Sequence, residues 1–185
     1  MQKLLSVIII STLVSLLSAC GFELRGSQTN NTLSSHLKTL YLQSSDVYND
    51  VTLALERGFK KAGVQLADSP AQAPLIFDAL TINYYERNIT VGGNEQATQY
   101  IISYDLNYEL RNQAGSRIYG PMHVHVQRYL ATNANEVISN SPKLLDIQRE
   151  LQYDLVQQVF YQLDSEKAQQ ALADISLPAT AVAVE

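Results

Sequence analysis

The 185-residue chain has one cysteine, no tryptophan and few charged residues. A single cysteine cannot close a disulfide within the chain, so Cys20 is a free thiol, half of an intermolecular disulfide or a modified residue. Thirteen lysines and arginines are outnumbered by 18 aspartates and glutamates. Because nucleic-acid-binding domains need the opposite balance, this composition predicts no nucleic-acid partner.

Patterns that would support catalysis are also scarce. His123 and His125 lie two residues apart and therefore point to one face of a strand. That spacing suits zinc only if a third ligand converges, and solvent-facing or interface histidines are the alternative. The Gly92-Gly93 pair lacks the strand-to-helix context of a phosphate-binding loop. We therefore expect no catalytic residue, no metal site and no cofactor, and we expect that the protein is not an enzyme.

Residues 1–19 have the organisation of a secretory signal. Lys3 provides a short positive region, residues 4–17 are mostly apolar, and the small residues Ser18 and Ala19 stand at a cleavage point. The apolar run is shorter than the roughly 20 residues that a membrane-spanning helix needs. An uncleaved anchor or a buried helix is the alternative interpretation.

The sequence Leu17-Ser18-Ala19-Cys20 resembles the lipobox of bacterial lipoproteins, in which the cysteine sulfur is acylated and the cysteine becomes the mature N-terminus. The resemblance implies lipidation of Cys20. Each buried methylene contributes about 0.8 kcal/mol, so two or more acyl chains hold a protein stably at a membrane surface. In lipoproteins of this type an aspartate at the next position favours inner-membrane retention, and Gly21 stands there instead.

Residues 20–37 are predicted to be the lipidated N-terminus and a polar tether, because Ser27 to Ser35 show no apolar period. A domain over residues 38–164 follows, and residues 165–185 are expected to be a mobile tail with at most one further helical turn. Within the domain, Thr39 to Gln43 is a strand candidate. The following segment is predicted to be a helix that ends at Gly63; its apolar face carries Val47, Val51, Leu55 and Phe59.

Three strands and a long helix complete the predicted domain. The first strand, Leu75 to Tyr85, has apolar residues on both parities and is expected to be covered on much of both faces. In the second, residues 100–111, every second residue from Tyr100 to Leu110 is apolar, which is typical of a strand with one wet face. In the third strand Gly120-Pro121 indicates a bulge or an edge position. Ser141 and Pro142 suit the start of the helix.

This order predicts the α+β class. We expect a two-layer sandwich, in which a mostly antiparallel sheet of about four strands packs both helices on one face.

Two sets of residues are candidates for binding. If the three long strands run antiparallel, the loop from Tyr85 to Thr98 and the exit of the last strand lie at the same end of the sheet. The candidate cations there, which could meet phosphate groups, are Arg87, Arg128 and Lys143. Separate solvated charges are the alternative. Amphipathic tyrosine rings favour interfaces. The candidate interface residues are Tyr84, Tyr85, Tyr119 and Tyr129.

The lipobox followed by "CGFELRG" (residues 20–26), and then the order strand, helix, three strands and long helix, resemble the LptE family of lipopolysaccharide-assembly lipoproteins. The other specific segments are "QYIISYDLNYEL" (residues 99–110) and "IYGPMHVHVQRYL" (residues 118–130). The resemblance covers roughly residues 20–163 and includes no catalytic signature.

The resemblance implies an outer-membrane lipoprotein that faces the periplasm and the lumen of the LptD β-barrel. Such proteins plug LptD, assist its assembly and help to deliver lipopolysaccharide to the outer leaflet. The basic positions implicated in ligand binding across the family correspond to Gly93 and Asn140 here, and nearby Arg87 and Lys143 could substitute for them. A lipid-anchored periplasmic lipoprotein that binds a ligand in a preformed apolar pocket is the alternative.

Overall fold

The computed structural model describes residues 37–89, 97–133, 138 and 141–176. The predicted signal, Cys20, most of the tether, Gly93 and Asn140 lie outside these residues. The described residues form five strands and three α-helices. The strands are β1 (Thr39–Ser44), β2 (Gln65–Leu66), β3 (Leu75–Ile89), β4 (Ala97–Asn112) and β5 (Arg117–Asn133). The helices are α1 (Asp50–Lys61), α2 (Pro142–Leu163) and α3 (Glu166–Ser176), and a 3₁₀ turn spans Pro70–Gln72.

The strands form one sheet in the order β2-β1-β3-β4-β5. β1 pairs in parallel with both β2 and β3, whereas β3, β4 and β5 form an antiparallel meander. The α+β class is confirmed, with one more strand than expected. The additional strand is β2, whose two residues pair with Thr39 and Leu40 and are too short to give a sequence pattern.

Helix α1 begins and ends where local chemistry predicts. The Asn49 side chain caps its first turn by accepting a hydrogen bond from the Val51 backbone N–H at 2.9 Å. After the helix, Gly63 adopts φ +80°, a conformation that glycine reaches without strain. Val51, Leu55 and Phe59 are buried, but Val47 precedes the helix and is 55% exposed, so its assignment to the helical face was wrong.

Two bulges decide which side chains of the long strands face the helices. The β3–β4 register shifts between Ala79 and Thr81, so the apolar residues change parity at this point: Phe77 and Ala79 precede the shift and Ile82 follows it. The β4–β5 register shifts near Gly120-Pro121, where Gly120 has φ +102°. The predicted bulge is confirmed, and β5 is also the edge strand.

Both predicted helices pack on one face of the sheet. The ring of Phe59 on α1 lies 5.3 Å from Phe77 on β3 and 5.3 Å from Phe160 on α2. Phe77 in turn stacks on Tyr108 of β4 with a centroid distance of 4.6 Å. The predicted N-cap of α2 is confirmed, because Ser141 Oγ accepts a hydrogen bond from the Leu144 backbone N–H at 3.2 Å.

The chain after Asp164 forms a longer helix than the single extra turn that the sequence suggests. α3 has 11 residues, and its Ala168 and Leu172 belong to the buried core. Four-residue spacing of these two side chains places both on one helical face.

Candidate functional site

The sheet face away from α1 and α2, called the open face below, carries a polar network where a wet strand surface was predicted. The carboxylates of Asp78 and Glu109 are only 9% and 8% exposed. Arg111 lies 3.2 Å from Asp78 and 2.5 Å from Glu109, and Arg117 lies 3.6 Å from Glu109. The hydrogen bond from Arg111 to Glu109 raises the pKa of the guanidinium. These cations compensate the charge of two buried carboxylates, and removing one cation would leave a buried charge uncompensated.

Asp105 is a hydrogen-bond partner of both His123 and His125. Its Oδ1 lies 2.9 Å from His123 Nε2 and 2.9 Å from His125 Nδ1. Asp105 is opposite His125 in the β4–β5 register, so one carboxylate bridges two residues of the adjacent strand. Within the described residues, no three histidine, cysteine or acidic side chains are placed to hold a metal ion.

Arg87 lies in a depression of about 430 Å³ on the open face. In the sheet register it aligns with Ile101 of β4, which aligns with Tyr129 of β5. The lining residues are Tyr85, Arg87, Ile101, Ser103, Asp105, His125 and Gln127. Within the described part of the chain, Arg87 forms no ion pair. Its charge is therefore available to an anion.

Arg128 and Lys143 lie on the helix side. Arg128 donates a hydrogen bond from a terminal guanidinium nitrogen to Asp154 Oδ2 of α2 at 2.5 Å. Lys143 Nζ donates to the Ala131 carbonyl oxygen at 2.9 Å. Arg128 aligns with Ile102, next to the Arg87–Ile101 pair, and neighbouring residues of a strand point to opposite faces. The three cations are thus near one end of the sheet, but Arg87 is not on the same face as Arg128.

Three of the four candidate tyrosines are exposed. Tyr84, Tyr85 and Tyr129 are 39%, 47% and 62% exposed. Tyr84 packs beside α2, where its hydroxyl oxygen accepts a hydrogen bond from Gln148 Nε2 at 3.1 Å. Tyr85 and Tyr129 are on the open face, because their parity is that of Arg87 in the register.

Tyr119 is buried and cannot contact a partner from the folded domain. It is 6% exposed, and its hydroxyl group donates a hydrogen bond to the Gln162 carbonyl oxygen at 3.3 Å. The bulge at Gly120 is the reason, since the extra residue places Tyr119 opposite Leu110 of the core.

Sequence reasoning missed a second depression, of about 440 Å³, between β5 and α2. Its lining residues are Arg128, Arg149, Glu150, Tyr153 and Asp154. Tyr153 is 60% exposed and Leu145 is 45% exposed. Their exposure could have been read from the helical period of α2, because both positions lie outside its apolar stripe, which includes Leu144, Leu151, Leu155 and Val159.

None of the helices among the described residues is long and apolar enough to cross a membrane. The LptE family model, described as lipopolysaccharide-assembly, matches residues 37–163, which is most of the chain and nearly all of the described fold. The chain belongs to the LptE family. A search of curated proteins finds no match.

Solved structures share the LptE fold of this chain. A minor lipoprotein from Acinetobacter baumannii is 21% identical, with a TM-score of 0.55, over 69% of this chain and 91% of that one. Lipoprotein B from Nitrosomonas europaea is 13% identical, with a TM-score of 0.59, over 69% and 83%. The rare lipoprotein B from Shewanella oneidensis is 14% identical, with a TM-score of 0.56, over 71% and 98%. At these identities the similarity concerns the fold.

Proposed function

We propose that this LptE-family chain is a lipoprotein of the outer membrane that plugs the LptD β-barrel, helps it to assemble and assists lipopolysaccharide delivery to the outer leaflet. The observation that carries the proposal is the family match over residues 37–163. Lipidation of Cys20 would hold the domain at the membrane, facing the periplasm and the barrel lumen.

The surface of the domain supports a binding role without catalysis. Tyr85 and Tyr129 expose amphipathic rings on the open face, and Tyr153 does so on α2. Such rings provide large contact areas with a hydroxyl group that remains hydrogen-bonded in a partly wet interface. We propose that the protein acts through these contacts and uses neither a catalytic residue nor a cofactor.

Among the candidate cations, Arg87 is the best placed to contact a lipopolysaccharide phosphate. Arg128 is already paired with Asp154, and Lys143 already donates to Ala131. A guanidinium can donate two parallel hydrogen bonds to phosphate, and Arg87 lies in a depression beside the exposed ring of Tyr85. We propose that Arg128 and Lys143 contribute less, because ligand binding would have to replace contacts they already make.

The alternative, a lipid-anchored lipoprotein with a small-ligand pocket, gains no support from the two depressions. Charged and polar side chains contribute much of their lining, including Arg149, Glu150 and Asp154 in one and Arg87 and Asp105 in the other. Pockets for small ligands are predominantly apolar and enclosed.

Affinity capture tests the proposal. The full-length chain with a C-terminal tag is expressed in its native host, captured from detergent-solubilised outer membrane, and analysed by mass spectrometry. We expect LptD to co-purify in a roughly equimolar ratio, because one barrel lumen holds one plug domain. A tagged lipoprotein of another family is the control. Capture of the chain without LptD would contradict the proposal.

A further inference from the structure

The edge of β5 carries backbone groups that no neighbouring strand pairs within the described fold. β5 is the outermost strand beside β4. The carbonyl oxygen of His123 accepts a hydrogen bond from Gln162 Nε2 at 3.0 Å, and that of Ala131 accepts one from Lys143 Nζ at 2.9 Å. Both donors belong to α2, so these two carbonyls point away from β4.

Every second residue between His123 and Ala131 also directs its backbone groups away from β4. His123 and Ala131, whose carbonyl oxygens are hydrogen-bonded by α2, are called the capped positions below. The β4–β5 register is unbroken from Met122 to Asn133. In an antiparallel pair, alternate residues direct both their N–H and their C=O groups outward, so His125, Gln127 and Tyr129 share the orientation of His123 and Ala131. In the described part of the chain, no hydrogen bond from α2 or a loop reaches their outward backbone groups. We call residues 125–129 the edge window.

The edge window has the dimensions of a site for a short strand. At about 3.4 Å per residue, the two capped positions are about 27 Å apart. The side chains of Arg128 and of α2 line the depression beside it, which has a volume of about 440 Å³. There Tyr153 is 60% exposed. An added strand would therefore have β5 on one side and the ring of Tyr153 within reach on the other.

The charges beside the edge window favour a polypeptide over an anionic glycolipid. Arg128 is paired with Asp154, and Arg149 is paired with Asp146 at 2.5 Å. Glu150 also lines the depression. Each of these two arginines already has a carboxylate partner. The groups that remain for a ligand are mainly the outward backbone N–H and C=O groups of β5, which occur at every second residue. An extended polypeptide matches that repeat, whereas sugars and phosphates do not.

We propose that the edge window binds an extended segment of the LptD polypeptide by strand addition, with backbone hydrogen bonds to His125, Gln127 and Tyr129. This inference rests on the proposed function, which supplies the partner. Gln162 and Lys143 limit the length of the added strand, because they occupy the outward carbonyls of His123 and Ala131. An unpaired edge of this kind is otherwise a risk for aggregation.

Hydrogen exchange resolved to single amides tests this proposal. Exchange is measured on the free chain and on the complex that co-purifies with LptD. We expect the amides of His125, Gln127 and Tyr129 to slow by about 100-fold or more in the complex. Val124 and Val126 are internal controls, because their amides pair with β4 in both states. Equal exchange of the three window amides in both states would overturn the proposal, and so would slowing in the concentrated free chain, which indicates a second copy.

A pair of variants separates this inference from the proposed function. Gln127→Pro removes one outward N–H and leaves the bonds to β4, whereas Gln127→Ala keeps that N–H. We expect Gln127→Pro to reduce LptD capture at least tenfold and Gln127→Ala to capture it as the wild type does, with matching circular dichroism spectra. If the wild type captures no LptD, both proposals fail. If Gln127→Pro folds and captures LptD normally, only strand addition fails.

Discussion

Arg87 on β3 and Arg128 on β5 lie in adjacent rows of the antiparallel meander but on opposite faces of the sheet. Arg87 aligns with Ile101, and Arg128 aligns with Ile102. The contact between Arg128 and Asp154 places that guanidinium on the side of α2. The two cations therefore cannot bind one phosphate group together, although the sequence suggested a single positive patch.

The first prediction concerns the relative importance of these arginines. Arg87→Gln should weaken the binding of purified lipopolysaccharide by about tenfold, since a charge-assisted hydrogen bond contributes about 1.5–3 kcal/mol. Arg128→Gln should change the affinity much less, because Asp154 already occupies its guanidinium. Binding is measured by fluorescence titration of the purified protein. Arg149→Gln, which removes another paired and exposed arginine, is the control. A larger loss for Arg128→Gln than for Arg87→Gln would contradict the assignment.

The second prediction concerns the polar network of the open face. Arg111→Gln should lower the free energy of unfolding clearly, because it leaves the buried carboxylates of Asp78 and Glu109 without their closest cation. Arg117→Gln is the matched control, with a 57% exposed side chain 3.6 Å from Glu109, and should have little effect. Urea unfolding measures both. Equal stabilities of the two variants would show that Arg111 has no compensating role.

The third prediction concerns the bulge of β5. At Gly120, φ is +102° and an added Cβ would lie 3.1 Å from the Glu109 Cα and 3.1 Å from the Tyr108 carbonyl oxygen. Gly120→Ala should therefore cost about 3 kcal/mol of unfolding free energy. Gly115 has φ +82° but open space around it, so Gly115→Ala should cost only about 1 kcal/mol. Urea unfolding of the two variants checks the difference, and the reverse order would refute the backbone contact as the cause.

Local patterns predicted the elements that local chemistry determines. Tyr104, Leu106, Tyr108 and Leu110 alternate along β4 and are all buried, as expected. Ser141 caps α2 as its position before Pro142 suggested. These features depend on neighbouring residues in the chain, so one sequence is sufficient to recognise them.

Features that depend on pairing between strands were not predictable in the same way. A bulge adds one residue and reverses the parity that follows, so the burial of Tyr119 depends on where β5 meets Leu110. The bridge from Asp105 to two histidines likewise requires the β4–β5 register. The facing directions of Arg87 and Arg128 follow from that register and from the β3–β4 register together.

The fourth prediction concerns the membrane anchor. Cys20→Ser removes the sulfur that the lipobox resemblance assigns to acylation, so the chain should no longer incorporate a labelled fatty acid. Metabolic labelling with immunoprecipitation measures this change, and Ser18→Thr, which leaves the cysteine intact, is a control. Labelling of Cys20→Ser at the wild-type level would rule out a lipid anchor at this residue.

Photo-crosslinking in intact cells tests the central claim, a direct partnership with LptD, most directly. A photoreactive amino acid is placed at Tyr85, Tyr129 or Tyr119 of the full-length chain. Tyr85 and Tyr129 are exposed on the open face and Tyr119 is buried, so Tyr119 is the control. We predict crosslinks to LptD from Tyr85 or Tyr129 and none from Tyr119. Absence of LptD crosslinks from both exposed positions, in cells where the chain is present in the outer membrane, would contradict the account.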